Sequence, residues 1–180
     1  SGAIGVVLAD HVGRAGLKMG SLAPATVEKL VAHALVGPDF TPTEQIDLEL
    51  PGENIGLTRA VCECIDILAD DDEVDVILLA LAALGHFADL DPVAVAQVCQ
   101  NTPKPVFVWP YGRNDLKTAW RRGFGQALRV STNPESMAAC IGAYERWQCH
   151  AGKSPQNDTA RLHPLDLPAG ELLDGADIRE

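Results

Sequence analysis

The residues able to do chemistry are scattered along the chain, and their spacing decides what they can do. Cys62 and Cys64 stand two apart in IGLTRAVCECIDILA, a stretch with helical period. On a helix their side chains point about 200° apart, so they cannot share a metal. Five cysteines without a secretory signal read as reduced thiols, in the core or half-buried. The histidines at 11, 33, 86, 150 and 163 show no ligand spacing, and no structural metal is expected. Asp70, Asp71, Asp72 and Glu73 run together at a helix-to-strand turn, where a solubilising loop is a simpler reading than a Mg²⁺ site. Lys117, Arg121 and Arg122 gather beside Trp120 on one helix, as a solvated face or as an interface to an acidic partner domain or a nucleotide. Gly85 and His86 follow an apolar run and precede Asp89, Asp91 and Pro92. Phe87 is bulky, and the two aspartates would repel an anion, so His86 is expected as a loop histidine and not as a phosphorylated nucleophile. No glycine-rich loop carries a lysine placed to hold a triphosphate.

The elements that must position these residues alternate. Ile4, Val7, Leu8 and His11 fall at helical spacing after Ser1-Gly2, which suits an N-cap; read that way, residues from Ala3 onward are a helix whose strand lies upstream of Ser1. SLAPATVEKLVAHAL is an amphipathic helix with Pro24 in its first turn and a stripe of Val27, Leu30, Val31, Ala34 and Leu35. EQIDLEL reads as a strand ended by Pro51-Gly52, and Asn54 as the cap of the next helix, with Leu57, Val61, Cys64, Ile65 and Leu68 inward. VDVILLALA is apolar on both faces, as a central parallel strand is when helices cover each side. A helix from Asp91-Pro92 through Val98, a strand in PKPVFVWPYG, a helix over NDLKTAWRRGF and a strand in ALRVST follow. Asn133-Pro134-Glu135 then opens a helix bearing Met137, Cys140, Ile141, Tyr144 and Trp147. After Trp147 the period stops, and residues 151–180 read as a linker towards a further module.

This alternation specifies an α/β fold, a flavodoxin-like three-layer sandwich with an open, mostly parallel sheet over residues 1–150. Ligands of such sheets bind at the carboxyl ends of the strands, here the loops 50–54, 83–91 and 109–115. A hydrophobic content of 47% over 180 residues fits one domain with a sizeable core. A formal net charge of -11 argues against phosphate-backbone binding by bulk electrostatics, so no nucleic-acid partner is expected. Apolar runs are too short and interrupted for a membrane span, and a cytoplasmic protein is expected.

Taken together, SGAIGVVLADHVGRAGLKMGSLAPATVEKL, DDDEVDVILLALA, TPKPVFVWPYG and TNPESMAACIGAYERW resemble the flavodoxin-like CoA-ligase subdomain of the nucleoside-diphosphate-forming acyl-CoA synthetases, the succinyl-CoA synthetase superfamily. The resemblance implies a first strand before the opening helix, and a ligase that joins an acid to coenzyme A with ATP, releasing ADP and phosphate through an acyl phosphate and a phosphohistidine. It implies ATP, Mg²⁺ and CoA for the parent protein and none bound by this chain, which supplies no catalytic residue. Its partners would be CoA-binding, phosphohistidine and ATP-grasp domains, in the same or a partner chain of a homo- or hetero-oligomer. A phosphohistidine dock is expected in the turn of Gly85, His86 and Asp91, although a paired glycine is missing there. Asp47, with Gly52 in the turn after it, sits where relatives carry an aspartate before a glycine-rich turn, and would shape that turn or face the active site. The alternative function is a regulatory or interaction module that has lost ligase activity, as in relatives fused to acetyltransferases.

Overall fold

Pro24, Pro92 and Pro134 each stand at the first position of a helix, where an N–H would have had no intrahelical partner. The computed structural model describes residues 2–42, 45–84, 89–125 and 128–151, so the expected linker lies outside the described residues apart from Ala151. The helices are α1 (Gly2–Arg14), α2 (Pro24–Ala32), α3 (Glu49–Ile55), α4 (Leu57–Ala69), α5 (Pro92–Asn101), α6 (Asn114–Phe124) and α7 (Pro134–Ala151). The strands are β1 (Ile77–Ala83), β2 (Val106–Gly112) and β3 (Arg129–Val130).

The three strands are parallel in the order β1-β2-β3, with Ile77 opposite Val106 and Ala83 opposite Gly112. Alternating side chains send Ile77, Leu79 and Leu81 to one face, where Val61 and Ile65 of α4, Val95 and Cys99 of α5, and Trp120 and Phe124 of α6 close over them. Burying one such side chain stabilises the fold by about 1.5–3 kcal/mol. Phe107 points to the other face and meets Met137 and Ile141 of α7, with Leu8 of α1 and Leu78 of β1 beside them. Arg129 lies over both the Phe107 and Tyr144 rings, 5.4 and 5.2 Å from their centroids. Two helical layers on one open parallel sheet make the flavodoxin-like sandwich that the alternation specifies.

Several local expectations fail, each for an identifiable reason. EQIDLEL forms no strand among its described residues, and Glu49–Ile55 is helical instead. Asp47 accepts a hydrogen bond from the Glu49 N–H at 3.0 Å, and Pro51 sits in the first turn, where its lack of a donor costs nothing. Asn54 is therefore inside α3, and Gly56, at φ +91°, caps α4. Ala34 leaves the α2 stripe because the helix ends at Ala32 and Ala34 turns to φ +55°. The strand in ALRVST shrinks to two residues, and α5 runs past Val98 to Asn101. The last helix continues past Trp147, which is exposed, as is Cys140.

The acidic run corrects the largest misreading. Asp71, only 2% exposed, is a structural acceptor and not part of a solubilising loop. Its carboxylate accepts the Ala23 N–H ahead of α2 and the Glu73 N–H ahead of β1, both at 2.9 Å. Lys104, just before β2, donates to the carbonyls of Asp71 and Leu68. Burial alone would raise the Asp71 carboxyl, but bonds from the Thr26 side chain, Glu73 and Ala23, helped by the Lys104 charge, hold it below its usual value.

Candidate functional site

The loops at the carboxyl edge of the sheet are built around one close contact. Gly112 ends β2 at φ +102°, and a Cβ there would stand 2.7 Å from the Ala83 carbonyl oxygen. Only glycine lets the backbone pass, and Arg113 then donates its N–H to that same oxygen at 2.9 Å. The ends of β1 and β2 are thereby tied together.

Beside them, the first turn of α4 holds the approach to α5. The Thr58 hydroxyl accepts the Asp91 N–H at 2.8 Å and donates to the Asp89 carbonyl at 3.4 Å. Asp91 is the N-cap of α5: one carboxylate oxygen accepts the N–H groups of Val93 at 2.9 Å and Ala94 at 3.2 Å. A helix start receives an anion through such N–H groups. Here they already hold the chain's own carboxylate, and a phosphate would have to approach that charge. Gly85 and His86 lie outside the described residues.

Asp47 reaches the same edge from just ahead of α3. It and Glu49 bear on Tyr111 of β2, whose phenol is raised first by burial and then by these two charges. Asp47, Glu49, Leu50 and Glu53 line a shallow hollow. Gly52 lies within α3, where a Cβ would meet a Leu57 methyl at 3.1 Å. The structure thus brings Asp47 and Asp91 to one end of the sheet. It leaves Lys117, Arg121 and Arg122 along α6, with Arg121 and Arg122 in its last turn, where they complement the helix dipole.

The thiols of Cys62, Cys64 and Cys99 are poor nucleophiles. Burial pushes both Cys64 and Cys99 up to about 12, with Cys62 and Asp66 adding to the effect at Cys99. Cys62 is raised by burial, Asp66 and Asp91. Among the described residues no three metal-ligating side chains stand together, and no helix is long and apolar enough to cross a membrane. Thr58 and Gly112 went unnoticed in the sequence. A glycine directly after an apolar strand was a usable signal for the second, whereas nothing local marks Thr58.

No protein-family model matches the chain, and no curated protein matches it. Among solved structures, the PH0766 protein of Pyrococcus horikoshii OT3 superposes with a TM-score of 0.61 at 20% identity, over 79% of this chain. The dinucleotide-forming acetyl-coenzyme A synthetase 1 of Ca. Korarchaeum cryptofilum superposes in its apo form with a TM-score of 0.60 at 16% identity, over 87% of this chain. The chain shares its fold with part of that synthetase. The same synthetase in complex with phosphate and ADP gives the same TM-score, 0.60, over 88% of this chain. The chain spans about a third of the length of these proteins, 33% of the first and 34% of the synthetase. At such identities the likeness carries the fold alone, and the chemistry must be argued from the residues.

Proposed function

We propose that residues 1–150 are the flavodoxin-like subdomain of an ADP-forming acyl-CoA synthetase, a non-catalytic portion that supplies a domain interface, with residues 151–180 leading to a further module. The supporting observation is the superposition of this three-layer arrangement on one third of an acetyl-coenzyme A synthetase. β1 adds to it. The strand is apolar throughout, as an interior parallel strand is, yet among the described residues it stands at the sheet's edge. We assign the missing neighbour to the strand expected upstream of Ser1. ATP, Mg²⁺ and CoA belong, on this reading, to other parts of the enzyme.

The test is incubation of the purified chain with ATP, CoA and short carboxylic acids, alone and with the remaining domains of the parent polypeptide. Acyl-CoA formed only by the combination supports the reading, and product from the chain alone would overturn it. The second reading, an interaction module without ligase activity, is favoured by one feature: Asp91 fills the α5 start that a phosphohistidine would use. An intact parent that makes no acyl-CoA would establish that alternative.

A further inference from the structure

Large apolar side chains left in water mark contact surfaces when they collect in one place. Leu50 on α3 is 65% exposed and Leu84 after β1 is 43% exposed. The half-buried Tyr111 stands between their elements: the space above neighbouring Gly112 is bounded by a Leu84 methyl, and Tyr111 feels Asp47 and Glu49, which share a hollow with Leu50. The surroundings of this centre are acidic. Asp47, Glu49 and Glu53 lie on the α3 side, Asp89 and Asp91 at the start of α5, and Asp115 at the start of α6. Of the cations here, Arg113 pairs with Asp115 at 2.6 Å and Arg59 with Glu63 at 2.6 Å, and Lys117 follows in α6.

We propose that the carboxyl edge of the sheet, centred on Leu50, Leu84 and Tyr111, docks a protein surface that is apolar at its middle and rimmed by lysine or arginine. The sign follows from charge complementarity: an apolar contact formed inside an acidic rim gains from cations across it and is penalised by anions. This deepens the interface role proposed above and rests on it only for the presence of a neighbouring domain. The partner meets the edge through basic residues, not through a phosphate.

The test uses the full chain and backbone amide NMR, so it does not depend on turnover. The probes are an amphipathic leucine-lysine peptide, its leucine-glutamate counterpart and inorganic phosphate. The leucine-lysine peptide should shift the amides of Leu50, Leu84, Tyr111 and Gly112 saturably. Leu50→Ser with Leu84→Ser should weaken it at least tenfold, and high salt should weaken it further. The exposed acids at the other end of the sheet, Asp72, Glu73 and Asp75, are the internal control. If their amides respond as strongly, the binding is unspecific attraction to an acidic protein and the proposal fails. Equal binding of the leucine-glutamate peptide, or phosphate shifting the Val93 and Ala94 amides, would also overturn it.

Discussion

The two ends of the β-sheet are both acidic, yet they use their carboxylates in opposite ways. At the amino end Asp71 is buried and accepts N–H groups from two different loops, while Lys104 takes up the carbonyls beside it. Charge there is consumed in holding α2, β1 and β2 in register. At the carboxyl end Asp91 caps α5, Asp47 accepts the Glu49 N–H just ahead of α3, and both remain at the surface, with Leu50 and Leu84 exposed nearby. One end is closed by its polar groups, and the other leaves apolar side chains exposed among its carboxylates. A carboxylate's neighbours, not its type, decide whether it stabilises the fold or shapes a surface.

The sharpest way to break this comparison is at Asp71. Asp71→Ala leaves two part-buried N–H groups and the buried Thr26 hydroxyl without their acceptor, and should cost about 3 kcal/mol, since an unsatisfied buried group costs about 1–3 kcal/mol and one that water can reach costs less. Thermal or urea unfolding reads it, and a loss below 1 kcal/mol would mean that the amino end is not closed by this residue. The next effect is at Gly112. Gly112→Ala forces a Cβ against the Ala83 carbonyl at positive φ and should destabilise by about 2–3 kcal/mol, with the damage concentrated at the ends of β1 and β2. Unchanged stability would show that the two strand ends separate freely.

The pH dependence separates the ends further. Asp71 is held below its usual value, so its folded form binds a proton less readily than its unfolded form. Its contribution is therefore complete above about pH 4, the ordinary aspartate range, and is lost as pH falls through the lowered folded value. In Asp71→Asn the acid-side loss of stability should be shallower than in the wild type; an identical slope would remove Asp71 from the acid response. A smaller effect is expected at Thr58→Val, about 1 kcal/mol for two surface hydrogen bonds. Its distinguishing sign is faster amide exchange at Asp91, with little change in melting temperature. The smallest lies one residue from the largest: Asp70→Asn breaks only the exposed 3.3 Å pair with Lys29 and should cost less than about 0.5 kcal/mol. If Asp70 and Asp71 proved equivalent, the distinction between buried and solvated acids would collapse.

Much of the frame was legible before the structure. The two-faced apolar run of β1, the first-turn prolines and the Asn133 cap each act within a few residues, and the elements they mark appear. The site was less legible. EQIDLEL alternates like a strand, but an Asp47 carboxylate that turns back to the Glu49 N–H and a first-turn proline favour helix in the following residues, and the alternation carried no information about which would prevail. Thr58 and Asp91 are 33 residues apart in sequence, so their bond left no local pattern to read.

The sequence by itself determined the alternation of helix and strand, the parallel sheet covered on both faces, and the resemblance to the CoA-ligase subdomain, because hydrophobic period, capping and proline placement are short-range. Only the tertiary structure decided which of four consecutive acids is buried, that Thr58 holds the approach to α5, and that two leucines stay in water amid carboxylates. Those outcomes depend on which segments meet in space. A carboxylate becomes a structural acceptor when distant N–H groups converge on it and remains a surface charge when none do.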